Sequence, residues 1–477
     1  MTTLATPQAP TPAVVRKDRP GDRVAQIRSK KIGTTNTNSL TDLENARRFA
    51  EQHGDDLRHV AKRREWFVWD GKRWIPDAAA EVQRRAKETV RTLYAAAARV
   101  KDSGERKEQV RLAKNAQSAG RIAGMIELAK SEPGIPVTPD QLDADPWLLN
   151  VDNGTLDLRT GELRPCRRDD LITKIAPVVY DPNAQCPTWE AFLHRIMPGD
   201  PDRVRYVQKI FGYALSGDAR EQCFFILHGT GANGKTTLTT AVSNAVGGYA
   251  RHTPTETLLV KRSNTIPNDV ARLHGARFVT AAEAECDRAL AEALVKQLTG
   301  GDKITARFLH GEFFEFTPTF KLFLCVNHKP TIRGTDHAIW RRLRLIPFEV
   351  TIPDAEQDKA LPGKLEAERA GILRWTVEGC LAWQREGLAA PKTVSEATAD
   401  YRDEMDTVAA FIDECCTPDP GAQTATKQLY DQYAKWCQRQ SEEPMSKAEL
   451  GARLSEKGFT PGRTKGGRFW RGLSVTG

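Results

Sequence analysis

Residues 224–238 read FFILHGTGANGKTTL. An apolar run is followed by a glycine-rich turn, a lysine and two threonines. The pattern G-x-x-x-x-G-K-[ST] is filled by Gly229, Thr230, Gly231, Ala232, Asn233, Gly234, Lys235 and Thr236, with Thr237 directly after it. In such a loop successive N–H groups turn towards phosphate oxygens, the lysine ammonium reaches the β- and γ-phosphates, and the threonine hydroxyl ligates Mg²⁺. Phe224, Phe225, Ile226 and Leu227 read as a buried strand, and Thr236–Val246 has the composition of a helix. That strand–loop–helix order is the context the motif requires. The stretch predicts a site for ATP with Mg²⁺. Many unrelated machines bind a nucleotide this way, so the rest of the chain must say what hydrolysis is for.

The 477 residues are 40% hydrophobic and 28% charged, which fits about two to four domains. No window approaches the roughly 18 consecutive apolar residues of a membrane span. The start, MTTLATPQAPTPAVVRK, has no apolar signal core. The nine cysteines contain no C-x-x-C pair, so neither a zinc ribbon nor a disulfide framework is indicated. The expectation is a reduced, cytoplasmic protein with no membrane partner. The net charge of +8 is concentrated at the ends: residues 1–35 hold seven Lys/Arg against two Asp, and residues 446–477 hold seven against two Glu. Two basic ends around a nearly neutral body point to a polyanion partner.

Residues 1–37, rich in Thr, Pro, Ala and Arg, read as a disordered basic arm. Residues 38–145 read as a helical accessory domain with a hairpin. Thr41-x-x-Glu44 is a capping-box pattern, and Asp70-Gly71 lies between two aromatic runs in EWFVWDGKRWI, residues 65–75. Trp66, Trp69 and Trp74 fit core packing better than base stacking. Residues 146–205 read as a small β meander, with turns at Asn153-Gly154 and Thr160-Gly161, and a helical linker through Trp189, Phe192 and Tyr206. Residues 206–390 alternate strands and helices around the glycine-rich loop. Residues 405–477 read as helices near 407–416, 425–439 and 446–457, then a basic hairpin.

Within the α/β region, ARFVTAAEAE (276–285) is an apolar strand ending in Glu283 and Glu285. A nucleotidase needs a carboxylate there to hold Mg²⁺ and orient the attacking water. KLFLCVN (321–327) ends in Asn327, whose amide could bond the γ-phosphate or that water. HAIWRRLRLIPF (337–348) sets Arg341 beside Arg342; a guanidinium supplied across a subunit boundary could stabilise transition-state charge. Lys303, Thr305 and Arg307 share one strand face by their period of two. With His310 at the following turn, they form a basic hairpin suited to a phosphate backbone.

This set, in this order and this close together, resembles the superfamily 3 helicases, and more closely the helicase portion of the phage/plasmid and poxvirus primase-helicases. The stretches LTGGDKITARFLHGEFFEF, PTFKLFLCVNHKP and DHAIWRRLRLIPF carry the resemblance, with WDGKRW and LLNVDNGTLDLRTGEL before them. It spans roughly residues 40–390. It implies an AAA+-like P-loop NTPase core in a homo-oligomeric ring, usually hexameric. Such a ring translocates on single-stranded DNA and unwinds forked DNA in replication of a phage, plasmid or mobile element in a bacterial host. By position it implies that Lys235 and Thr236 bind phosphate and Mg²⁺, that Glu283 with Glu285 forms the acidic site, and that Asn327 is the sensor. Arg341 or Arg342 would be the finger acting on the neighbouring subunit. The family often has a third acid and a glycine after the acidic strand, where this chain has Cys286 and Asp287, which makes Glu283 the firmer assignment. The first 145 residues carry no D-x-D metal motif on a strand, so a primase or polymerase would act as a separate partner. The tail fits a winged helix, with Arg463, Lys465, Arg468 and Arg471 on the wing and helix 446–457 in the groove. Three other readings stay open at this level: an ATP-switched initiator or loader, a phosphotransferase acting on a small substrate, and a full primase-helicase.

Overall fold

The computed structural model describes residues 41–260, 268–282, 288–309, 311–334, 337–440, 443–464 and 467–475. The chain divides into two compact units after Leu142. In the first, helix α1 (Asp42–His53) starts at Thr41, whose Oγ1 accepts the Glu44 N–H at 3.2 Å. An antiparallel sheet follows, β1 (Leu57–Val60), β2 (Glu65–Trp69) and β3 (Trp74–Pro76). Asp70 Oδ1 closes the β2–β3 turn by accepting the N–H groups of Lys72 and Arg73, both at 2.8 Å. Trp74 is fully buried, with the Arg58 guanidinium 4.5 Å from its ring centre. Its ring therefore serves the core and a cation–π contact. Helices α2 (Glu81–Ala98), α3 (Ser103–Asn115) and α4 (Ala119–Ala129) complete this unit around Phe49, Leu57, Val90 and Met125.

The second unit opens with an antiparallel meander, β4 (Leu148–Val151), β5 (Gly154–Asp157) and β6 (Glu162–Arg164). Helices α5 (Pro187–Ile196) and α6 (Pro201–Leu215) lead to the central sheet. Its strands are β7 (Phe224–His228), β8 (Ala250–Pro254), β9 (Phe278–Ala282), β12 (Lys321–Val326) and β13 (Leu343–Pro347), after a small hairpin of β10 (Ile304–Ala306) and β11 (Phe314–Phe316). The order is β13-β7-β12-β9-β8 and every pairing is parallel. Parallel strands need crossovers, and these cover both faces. Alternation decides the faces: Phe225 and Leu227 join one core and Phe224 and Ile226 the other.

On the first face lie α6, α7 (Lys235–Val246) and, after α8 (Glu292–Gly300) and α9 (Leu361–Ala367), the long α10 (Arg369–Glu386). Trp189, Phe192 and Tyr206 belong to this same cluster, so the segment read as a linker contributes to the principal core. Helices α6 and α10 touch backbone to backbone: a Cβ on Gly212 would collide with Cys380 N, and one on Gly379 with Gln208 O. On the second face lie α8 and the residues around Trp340 and Tyr401, the latter on α11 (Lys392–Glu404).

Two cations are buried at the amino edge of the sheet. Lys321 Nζ donates to Ser216 O at 2.6 Å and lies 4.3 Å from the Tyr213 ring centre. Arg277 donates to Leu215 O and Leu148 O, each at 2.9 Å. They tie α6 and the meander to the sheet. Burial pushes the Lys321 ammonium down to about 7, with the Arg277 charge adding to the effect.

The last part holds α12 (Thr407–Cys415), α13 (Thr426–Arg439) and α14 (Lys447–Glu456) with an antiparallel sheet β14-β16-β15. Strands β15 (Thr460–Thr464) and β16 (Gly467–Val475) form the hairpin read from the sequence. Strand β14 (Cys416–Ala425) is an addition. Pro418 and Pro420 mask it in the sequence; an edge position and a register shift between Asp419 and Gln423 accommodate them. Among the described residues no helix is long and apolar enough to cross a membrane.

Candidate nucleotide site and basic hairpin

Parallel pairing brings the carboxyl ends of four strands to one edge: His228 faces Val326 and Pro347, and Cys325 faces Ala282. Ligands of open α/β sheets bind at that edge. The loop Gly229–Gly234 leaves β7 there and turns into α7, with Gly234 as N-cap at φ +82°. Gly229 is required by space, because a Cβ would collide with Asn233 Nδ2 and the Phe348 carbonyl. Gly231 at φ +110° and Ala232 at φ +47° complete the left-handed turn. Thr230, Ala232 and Thr236 are exposed.

Lys235 is 5% exposed. Its Nζ donates to Gly229 O at 2.7 Å, Asn233 Oδ1 at 2.8 Å and Asn327 Oδ1 at 3.1 Å. A buried ammonium is tolerated because oxygens surround it. The lysine that opens α7 and the asparagine that follows β12 thus meet. A cavity of about 180 Å³ lies over the loop, lined by Gly231–Thr237, Cys325 and Asn327. Thr239 Oγ1 donates to Lys235 O on its own helix at 3.1 Å and lies 3.8 Å from Cys325 Sγ.

Strand β9 ends at Ala282, one residue before Glu283. Glu283, Glu285, Cys286 and Asp287 lie outside the described residues. His310 and Lys465 do too, as does the arm 1–37.

Arg341 and Arg342 precede β13, at the opposite edge of the sheet from the loop, since Leu343 pairs with Phe224 at the start of β7. Arg342 is 8% exposed and Nη1 donates to Ala338 O at 2.7 Å, holding its own turn. Arg341 is exposed. The structure therefore separates two residues that the sequence left equivalent.

In the β10–β11 hairpin, Ile304 and Ala306 are buried while Lys303, Thr305 and Arg307 are exposed on the other face. The Arg307 guanidinium lies 5.0 Å from the Phe313 ring centre. Phe308, Leu309 and Phe313 are exposed beside it. In the tail, Arg463 pairs across the hairpin with Arg468, and both are exposed with Arg471. Phe469 and Trp470 point inward instead, at 8% and 6% exposure.

A second cavity shares Asn327 with the loop site. It holds about 410 Å³ and is lined by His228, Thr230, Asn327, His328, Lys329, Glu404 and Met405. The sequence reading did not find it. His328 and Lys329 directly follow Asn327, which is a signal only once Asn327 is placed; Glu404 arrives from a distant helix with no local signal.

Comparison with known proteins gives three matching families: "D5 N terminal like" over residues 46–198, a family of unknown function over 227–342, and "Poxvirus D5 protein-like" over 403–471. A "putative helicase" of Acanthamoeba polyphaga mimivirus is 28% identical over 385 residues, covering 73% of this chain and 40% of its own length. Another from Frog virus 3 is 26% identical, covering 63% of this chain and 40% of its own length. A "putative primase" of African swine fever virus is 25% identical, covering 62% of this chain and 34% of its own length. The chain thus spans well under half the length of these relatives. Among solved structures, the apo C terminal region of NrS-1 superposes with a TM-score of 0.50 at 9% identity, covering 92% of this chain and 100% of that one. That likeness concerns the fold alone.

Proposed function

Since the chain belongs to a primase-helicase family with relatives in large DNA viruses, we propose that it is an ATP-dependent DNA helicase of replication. In this reading it acts as a homo-oligomeric ring on single-stranded and forked DNA. The observation that carries the reading is the convergence of Lys235, the glycine-rich loop and Asn327 at the carboxyl edge of the parallel sheet. Phosphoryl transfer to water depends mainly on positioning and electrostatics. Lys235 exchanges its internal oxygens for the β- and γ-phosphates, and loop N–H groups hold the remaining phosphate oxygens. Asn327, released from Lys235, bonds the γ-phosphate or the attacking water, and Glu283 orients that water. Thr236 and Glu283 would hold Mg²⁺, which supplies charge neutralisation between the β- and γ-phosphates.

Arg341 is the finger of this proposal, reaching the next protomer's γ-phosphate, because Arg342 is committed to its own turn. Lys303, Arg307 and His310 grip the DNA backbone, and Arg463, Lys465, Arg468 and Arg471 of a winged-helix-like tail add sequence-independent affinity. A primase or polymerase partner acts separately. The test is strand displacement on a forked duplex with ATP, for the wild type and Lys235→Ala. Displacement that the substitution abolishes supports a motor. ATP turnover and DNA binding without displacement would replace it with an ATP-switched initiator or loader.

A further inference from the structure

The 410 Å³ cavity adjoins the proposed ATP site through Asn327 and Thr230, and the rest of its walls, which that site does not use, are chemically specific. Lys329 supplies an ammonium, His228 and His328 supply imidazoles, and Thr230 a hydroxyl from the loop itself. We infer that this cavity is an inorganic-phosphate site, the station through which the cleaved γ-phosphate leaves. The inference rests on the proposed ATP hydrolysis: water attacks the γ-phosphorus, the bond to the bridging oxygen breaks, one proton of the water stays on the phosphate and the other passes to solvent, and ADP and a hydrogen phosphate dianion result.

The loop cavity and this one share Asn327, and Thr230 lies between loop and cavity wall. A phosphate that has lost its bond to ADP therefore has a space holding the Lys329 ammonium next to its birthplace, while ADP remains over the loop. The His228 imidazole is half-buried, and burial, then the charges of Lys329 and Lys235, hold its pKa below the usual value against the opposing Glu404 carboxylate. Lys329 is the cation of this cavity and Glu404 its counter-charge, so an anion that takes the place of Glu404 meets the Lys329 ammonium.

The cavity also holds a built-in competitor for an anion. Both carboxylate oxygens of Glu404 accept from Lys329 Nζ at 2.7 Å. Glu404 is the last residue of α11, and the Lys329 ammonium also lies 5.4 Å from the Tyr401 ring centre on that helix. The carboxylate occupies the ammonium much as an anion would. Phosphate entering the cavity displaces Glu404 from Lys329, and departure of phosphate lets the pair re-form. Removing Lys329 and removing the Glu404 charge must therefore have opposite effects.

The experiment is direct binding of inorganic phosphate to the full chain, by calorimetry, in a Lys235→Ala background that disables the loop. Adding Lys329→Ala is expected to weaken binding about tenfold, the loss of one charge-assisted hydrogen bond. Adding Glu404→Gln is expected to tighten it several-fold, and Lys329→Arg to keep most of it. Phosphate binding that Lys235→Ala alone abolishes, or that is equal in all these variants, overturns the site. ATP binding by the wild type is measured separately. Its absence would remove the helicase reading, whereas the phosphate titrations would still decide whether the cavity takes the anion. In active protein, release followed with a fluorescent phosphate reporter should slow or lose its distinct phase in Lys329→Ala while ATP affinity is retained; unchanged release kinetics would count against the exit role.

Discussion

Lys235 and Asn327 illustrate how much a single contact can organise. The lysine is buried and its charge is met by three oxygens, two of them within its own loop. Lys235→Ala removes the cation and leaves Asn233 and Asn327 without that donor. It is expected to reduce ATP binding at least tenfold while the sheet, whose core lies elsewhere, still melts cooperatively. Nucleotide titration and a thermal melt on one sample check both halves. The two arginines give a sharper contrast. Arg341→Ala is expected to lower ATPase activity by two or more orders of magnitude with an unchanged melting temperature, as for an arginine finger. Arg342→Ala is expected to destabilise the fold by about 1–3 kcal/mol, because it removes a buried hydrogen-bonded group, with activity falling only as folded protein is lost.

Lys321 makes a pH prediction. Its folded pKa is near 7, below its unfolded value. Between these values the unfolded chain binds more protons, so its contribution to stability is lowest at and below pH 7 and increases as pH rises. The slope is at most about 1.4 kcal/mol per pH unit. Above about pH 9 the buried Cys223 and Cys380 thiols, each pushed up to about 12, oppose it. Urea denaturation from pH 7 to 8.5 should therefore show rising stability that Lys321→Met flattens. A wild-type curve with no rise would refute the depressed lysine.

At the scale of elements, the hairpin of β10 and β11 has two unlike faces. Ile304, Ala306 and Phe316 are buried, and the exposed face carries Lys303 and Arg307. If both contact phosphates, Lys303→Ala/Arg307→Ala lowers the salt dependence of single-strand binding by about 1.4 in log–log slope, two contacts at roughly 0.7 each. Binding isotherms at several salt concentrations measure this, and an unchanged slope would take the hairpin off the DNA path. Period-two spacing made this face readable in advance. Strand β14 was not readable, since its prolines look like a loop unless one knows that the strand lies on an edge. The glycine-rich loop was readable because its turn, its collision-free Gly229 and the helix start at Lys235 depend on neighbouring residues in the chain.

For the whole molecule, the carboxyl-edge site and Arg341 lie at opposite ends of the sheet. If Arg341 is the finger, the folded chain holds it away from its own loop, and a complete site would take two copies. Specific ATPase activity is expected to rise steeply with protein concentration, and mixing Lys235→Ala with Arg341→Ala protein should restore part of the activity that each lacks alone. Activity proportional to concentration, with no complementation on mixing, would show a site contained in one chain. The family likeness covers separate stretches of both units.

By itself, the sequence determined what local chemistry determines: the strand, loop and helix around Lys235, the turn at Asp70, the alternating faces of the hairpin, and an α/β core. These follow from residues within a few positions of one another, whose turn geometry and periodicity are set by sterics and hydrogen bonding along the chain. Only the tertiary structure decided the strand order that sets β7 beside β12, and with it the meeting of Lys235 and Asn327. It likewise decided that Arg342 is buried and Arg341 is not, and that Glu404 closes on Lys329. Periodicity tells which face of a strand is apolar but not which strand lies next to it. That choice is made by crossovers and by burial summed over the whole core.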